Sequence, residues 1–149
     1  MAIDEPLRLE SFLPYRLNRL ADAVSRDFAR IYRERYGLTR PEWRLLATLG
    51  QYGRMTATEI GRHSAMHKTK VSRAVAALEK RRWLTRQADE ADRRLEHLQL
   101  TQAGADAYGD MVPFARAFEE RLWAGIEPPC RKDFETGLKR LEAALIDRS

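Results

Sequence analysis

The stretch that decides the fold covers residues 56–82 and reads TATEIGRHSAMHKTKVSRAVAALEKRR. Thr56 and Glu59 have the spacing of a capping box, which predicts the start of a short helix. Residues 64–66 interrupt that helix after about two turns, and a second helix is predicted over about 67–81. Two helices joined by a three-residue turn indicate a helix-turn-helix.

The second helix of this pair has an apolar side and a basic side. Val71, Val75 and Leu78 recur at helical spacing and are expected to pack against Ile60. The outward side combines long cations with small hydroxyls, which suits contacts with phosphates and base edges in a major groove. The candidate DNA contacts are Lys68, Thr69, Lys70, Ser72 and Arg73. A solvated surface helix is the alternative, but this side lacks carboxylates until Glu79.

A β-hairpin is predicted after the second helix. Near the end of residues 83–100, apolar and polar positions alternate, and a charged turn at residues 89–94 separates two short strands. Arginines at such a tip are suited to a neighbouring minor groove, and Arg93 or Arg94 would take that role. Asp92 is expected to hold the turn or to orient one arginine. A solvated hairpin tip is the competing interpretation.

The positive charge of the chain is concentrated in its middle. The 149 residues have a formal net charge of +5. Residues 54–100 carry 11 basic and six acidic groups, whereas residues 1–53 carry nine and seven, and residues 101–149 carry seven and nine. A basic middle between nearly neutral ends favours one surface that meets a polyanion.

Long helices are predicted on both sides of this middle. Leucines and other apolar residues form one stripe over residues 13–31, with Ser11 as the expected cap, Pro14 in the first turn and Gly37 as the end. A capping box at residues 39–42 begins the next helix.

Two further helices are predicted after Thr101. Their apolar stripes cover residues 107–122, where Pro113 predicts a kink, and residues 134–145, with a break at residues 127–129. The stripes of the first and last helices are not needed for a small central core, so they predict a dimer. A monomer in which these helices pack together is the alternative.

Three quoted pieces together resemble the MarR family of bacterial transcriptional regulators. They are the helix-turn-helix of residues 56–81, the turn DEADRR at residues 89–94 and the segment LQLTQAG at residues 98–104. The resemblance extends over nearly the whole chain. It implies a mainly α fold with a small β-hairpin: a winged helix-turn-helix at residues 37–101, and dimerisation helices at residues 1–36 and 102–149.

The resemblance also implies a function. Proteins of this family are homodimers that bind pseudo-palindromic duplex DNA operators, usually as repressors, and many release DNA on binding a small aromatic or phenolic effector. The family's wing Asp and Arg map to Asp92 and Arg94. An effector pocket is expected where the dimer helices meet the DNA-binding region, with candidate lining residues Phe12, Tyr15, Arg16, Trp43, Met66 and Met111. The alternative is a winged-helix protein-interaction module without sequence-specific DNA binding.

Other classes of protein are not favoured. The sequence has no glycine-rich phosphate loop and no HExxH motif, so no enzyme and no cofactor are expected. Glu59, His63 and His67 are spaced four apart, but Glu59 is explained by capping, and no metal is expected. The single cysteine, Cys130, excludes an internal disulfide. No membrane span or signal peptide is expected, and the protein is predicted to be cytoplasmic.

Overall fold

The computed structural model describes residues 3–147 and is mainly helical. A single 3₁₀ turn, Leu9–Ser11, precedes six α-helices and a small antiparallel sheet. In chain order the elements are α1 (Leu13–Tyr36), α2 (Arg40–Tyr52), β1 (Met55–Thr56), α3 (Ala57–Ser64), α4 (Lys68–Lys80), β2 (Leu84–Ala88), β3 (Glu96–Leu100), α5 (Gln102–Trp123) and α6 (Pro128–Leu145). The predicted combination of helices and a hairpin is therefore confirmed.

The described chain divides into two compact units, with the boundary between Met111 and Val112 inside α5. The first unit holds a continuous apolar core. Its fully buried side chains come from α1, α2, α3, α4, β3, α5 and the connection between α1 and α2. The largest are Tyr32, Leu38, Leu45, Leu46, Leu49, Ile60, Leu78, Leu98 and Met111. The helices of this unit and the hairpin of β2 and β3, which is called the wing from here on, thus share one core.

The end of α1 joins this core through an aromatic cluster. Phe28 packs edge-on against Tyr32 and Trp43, with ring centroids 5.5 and 5.2 Å away, and Tyr32 stacks on Trp43 at 5.8 Å. Burial raises the pKa of the Tyr32 hydroxyl, although nearby Arg40 opposes the shift. This cluster fixes α1 against α2.

The start of α1 differs from the prediction in its cap. The Ser11 hydroxyl does not cap α1 but donates to the carbonyl of Arg8 within the 3₁₀ turn. The predicted apolar stripe lies outside the core at its beginning, where Leu13, Leu17 and Leu20 keep 47%, 39% and 53% of their surface exposed. Pro14 in the first turn and the left-handed Gly37 at the end are as predicted.

The predicted capping box of α2 is confirmed. The Thr39 side chain accepts from the Glu42 backbone N–H at 3.3 Å, while the Glu42 carboxylate accepts from the Thr39 backbone N–H at 2.9 Å and from its hydroxyl. The helix ends at Gly53, which has a φ of 79°. The capping box and the buried leucines of α2 hold this helix in place, and α2 in turn supports the helix-turn-helix.

The sheet contains one strand more than the hairpin predicted from the sequence. Its order is β1-β3-β2, and both pairings are antiparallel. β1 is only two residues long and pairs Met55 with Leu98 and Thr56 with His97. The hairpin is thereby tied along one edge to the segment that leads into α3.

The second unit consists of the later part of α5 and the whole of α6. Trp123 packs edge-on against Phe134 with ring centroids 5.8 Å apart, and the Arg131 guanidinium lies 4.7 Å from the Trp123 ring centroid. α5 continues through Pro113, and α6 begins with Pro128 in its first turn. No described residue of α6 is buried. Within residues 3–147, no helix is both long and apolar enough to cross a membrane.

Candidate nucleic-acid interface

Local hydrogen bonds shape the helix-turn-helix. The Thr56 hydroxyl accepts from the Glu59 backbone N–H at 3.2 Å, which provides one half of the predicted capping box. α3 ends where Ala65 adopts a left-handed conformation with a φ of 53°. The Met66 N–H then donates to the Gly61 carbonyl at 3.0 Å, which closes the turn. This short turn sets the direction in which α4 leaves.

α4 has the two sides that the sequence predicted. The Nδ1 atom of His67 caps the helix by accepting from the Thr69 backbone N–H at 3.2 Å. Val71, Val75 and Leu78 are buried, as predicted. The opposite side is exposed and carries Lys68, Thr69, Lys70, Ser72 and Arg73. The structure therefore brings all five predicted DNA contacts onto one basic, accessible helix.

The wing loop is organised around Asp89. One carboxylate oxygen accepts from the backbone N–H groups of Ala91 and Asp92 at 2.8 and 3.0 Å, and the other lies 2.7 Å from His97 Nε2. These bonds, led by the one with His97, lower the pKa of the Asp89 carboxyl from 3.8 to about 2. The Asp89 carboxylate is therefore the charged acceptor that holds the loop together.

The tip of the wing presents its arginines to solvent. Asp92 accepts from the Arg94 backbone N–H and Nε, both at 3.1 Å, and these bonds lower the pKa of the Asp92 carboxyl. The Arg94 side chain nevertheless remains 92% exposed. Arg93 is also exposed. The contact between Asp92 and Arg94 has the geometry expected of an aspartate that orients an arginine.

Two polar residues on α3 were not among the contacts predicted from the sequence. Thr58 and Arg62 line a groove of about 450 Å³ together with Lys68 and Ser72 of α4. The sequence did contain a signal for this pair. Glu59 marks the start of α3, and Thr58 and Arg62 are four residues apart, so they share a face of the helix. Arg82, which opens the wing with a φ of 62°, is a further exposed cation that was missed.

The six candidate effector residues lie in different surroundings. Phe12, Tyr15 and Arg16 are exposed on or beside the first turn of α1. Trp43 is half-buried in the aromatic cluster. Met66 is buried at the helix-turn-helix groove, and Met111 is fully buried in the core. The effector pocket stays a prediction.

The histidines considered as metal ligands have other partners. His63 Nε2 lies 2.9 Å from the Tyr52 hydroxyl, and His67 caps α4. Among the described residues, no three His, Cys, Asp or Glu side chains gather as a metal site would require. Cys130 is exposed in the first turn of α6.

The comparisons with known proteins agree with this architecture. The family model of the MarR family matches residues 36–95. The transcriptional repressor MprA of Escherichia coli K12 is 30% identical over 78 residues, which are 52% of this chain and 44% of the repressor. The chain thus spans less than half the length of that curated relative.

Solved structures extend the likeness to nearly the whole chain. A MarR family regulator from Silicibacter pomeroyi is 26% identical, with a TM-score of 0.78 over 95% of this chain and 97% of the other. Bordetella bronchiseptica BpsR, whose DNA binding is regulated by 6-hydroxynicotinic acid, shares the fold at 22% identity, with a TM-score of 0.80 over 93% and 98%.

The three-stranded sheet and the helix-turn-helix define a winged-helix fold, which is also the fold of the solved MarR family regulators. The chain is thus similar to the MarR family in sequence over residues 36–95 and in fold over nearly its whole length. The family and these relatives are transcriptional regulators rather than enzymes.

Proposed function

We propose that this chain is a dimeric, ligand-responsive repressor that binds pseudo-palindromic duplex DNA, with α4 in the major groove and the wing in the minor groove. The exposed side of α4 carries the argument. It presents Lys68, Lys70 and Arg73 beside two hydroxyls, and the Glu79 carboxylate is the first acid encountered along it. Phosphate contacts supply affinity, and a bidentate Arg73 reads a guanine.

The wing supports the same assignment. Arg93 and Arg94 lie at the tip of a hairpin that begins shortly after α4 ends. Guanidinium groups are favoured in narrow minor grooves, where the negative potential is strongest. Asp92 fixes the direction of Arg94 and so reduces the conformational entropy lost on binding.

Dimerisation is supported by apolar surface on the terminal helices. Leu17 in α1 and Leu138 in α6 each remain 39% exposed, and Leu145 remains 61% exposed. Apolar surface of this kind is covered by a partner in stable assemblies. A two-fold dimer would present two α4 helices to half-sites about 34 Å apart, one turn of DNA.

Ligand response is proposed by analogy with BpsR, whose DNA binding is regulated by a small aromatic acid. An effector that prefers a dimer with a different half-site spacing would lower the DNA-competent population. Phe12, Tyr15, Arg16, Trp43, Met66 and Met111 remain the candidate lining residues.

The test is fluorescence anisotropy with duplexes from the DNA that flanks its own gene, beside a random duplex, at several salt concentrations. We expect specific binding with a steep salt dependence, which a panel of small aromatic acids weakens. Arg73→Ala should lower operator affinity roughly ten- to hundredfold. The matched control is Arg116→Ala, which removes an exposed charge from α5 outside the candidate interface.

Equal affinity for operator and random duplex would contradict the proposal. A protein partner that binds independently of salt, with Arg73→Ala fully active, would instead identify an interaction module.

A further inference from the structure

We propose that Arg86 is a positioning residue that holds the wing at a fixed angle to the recognition helix α4. This inference rests on the proposed function and concerns the same DNA-binding surface. Arg86 lies on β2, outside the set of side chains expected to contact DNA. Its Nε donates to Glu79 of α4 at 2.9 Å, and its Nη1 donates to Glu96 of β3 at 3.2 Å.

The strand register shows why Arg86 occupies this position. Leu84 pairs with Leu100, Arg86 with Leu98 and Ala88 with Glu96, so these side chains share one face of the hairpin. Leu84 and Leu98 are each only 2% exposed and belong to the core. The face therefore changes from apolar to ionic at Arg86, where the wing leaves the core.

An unpaired negative charge on Glu79 would be unfavourable for two reasons. It lies next to the last residue of α4, where the helix dipole disfavours an acid. It is also an acid at the end of the helix proposed to face DNA, where a negative charge opposes binding. The Arg86 guanidinium offsets both effects, because it neutralises Glu79 and connects it to the wing.

Geometry gives this bridge more weight than an ordinary surface ion pair. The side chains of Arg86, Glu79 and Glu96 keep 39%, 44% and 53% of their surface, and an isolated pair so exposed contributes little. Here one planar guanidinium uses two nitrogens to join two elements. The hydrogen bond with Glu79 is the largest of the effects that raise the pKa of the Arg86 guanidinium.

The decisive variant is Glu79→Ala, because simple electrostatics and positioning predict opposite signs. Loss of a negative charge near DNA tightens binding to every duplex if only charge matters. Loss of the bridge releases the wing, and operator affinity should fall by up to roughly tenfold. Alanine favours the helix, so α4 itself should not be weakened.

Glu90→Ala is the matched control. Glu90 is an exposed carboxylate on the wing loop with no hydrogen bond or ion pair among the residues that the structure describes. Its removal changes the charge equally and should tighten binding to operator and random duplex alike. Arg86→Lys keeps the charge but cannot reach both carboxylates in a planar fork, so it should recover only part of the affinity that Arg86→Gln loses.

Hydroxyl-radical footprinting separates positioning from a loss of folding. In Glu79→Ala, protection in the minor groove under the wing should weaken, while protection under α4 and the thermal unfolding midpoint stay unchanged. Glu79→Ala that tightens operator binding as much as Glu90→Ala overturns the role of Arg86. Absence of operator preference in the unmodified protein overturns the proposed function instead.

Discussion

The two units of the chain differ in how their helices are stabilised. In the first unit, α2, α3 and α4 begin with side-chain caps from Thr39, Thr56 and His67. In the second unit, Glu127 precedes α6 without forming a side-chain cap, and none of the described residues of α6 is buried. Helices α2, α3 and α4 are therefore stabilised by caps and a core within the first unit, whereas α6 keeps its apolar side chains exposed, where the proposed dimer would cover them.

The largest expected effect contrasts the two units directly. Leu78→Ala removes a side chain with no exposed surface and should lower the free energy of unfolding by about 2–5 kcal/mol. Leu138→Ala in α6 removes one that is 39% exposed, and for the monomer we expect a loss under about 1 kcal/mol. Urea denaturation at several protein concentrations measures both.

The concentration series also tests the proposed dimer. Leu138→Ala should lower stability progressively more at concentrations where sedimentation shows dimer, because binding stabilises the folded state by mass action. An equal loss for the two variants under monomeric conditions would mean that α6 has an interior of its own, contrary to this comparison.

A smaller effect concerns capping. Thr39→Ala breaks the reciprocal box at the start of α2 and should cost about 1 kcal/mol of unfolding free energy. Thr136→Ala is the matched control in α6, where the hydroxyl only donates to the Lys132 carbonyl of its own helix. Alanine suits such a position, so thermal denaturation should show no loss there. A comparable loss at both sites would contradict the contrast between the units.

The smallest expected effect is local and depends on pH. The pKa of Asp89 is lowered from 3.8 to about 2 in the folded chain. The carboxylate therefore contributes its full stabilisation above about pH 4, and the contribution disappears as the pH falls through about 2. The protection of the Ala91 and Asp92 amides against hydrogen exchange should decrease as the pH falls through this interval. Asp89→Asn should remove most of this dependence on pH. Unchanged protection of these two amides down to pH 2 would show that the loop is held by other contacts.

The sequence predicted the features that depend on neighbouring residues. The caps at Thr39 and Thr56, the helix-turn-helix and the hairpin all follow from spacing within a few positions, whereas the cap predicted at Ser11 was wrong. The buried side of α4 was also correct, since Val71, Val75 and Leu78 repeat at helical spacing. These local signals were sufficient to recognise the family and to place the five candidate contacts on one helix.

The features that were missed depend on residues distant in sequence. β1 has only two residues, and its pairing with β3 arises from tertiary proximity rather than from periodicity. The apolar stripe of α1 did not indicate that Ala29 and Tyr32 are the residues of this helix that enter the core. The bridge from Arg86 to Glu79 needed the strand register and the end of α4 together.

The base of the wing has a consequence for how this chain tolerates change in length. The Thr101 N–H donates to the Trp83 carbonyl at 2.9 Å, and the Thr101 hydroxyl donates to the Arg82 carbonyl at 2.7 Å. Gly104 packs so closely there that a Cβ atom would lie 2.1 Å from the Trp83 oxygen. Because the chain enters and leaves the wing at one closed junction, we expect that residues can be inserted or removed at the tip without disturbing the core. If the proposed function is correct, the wing is an exchangeable module whose reach along DNA can be altered without changing the residues that α4 presents to the bases.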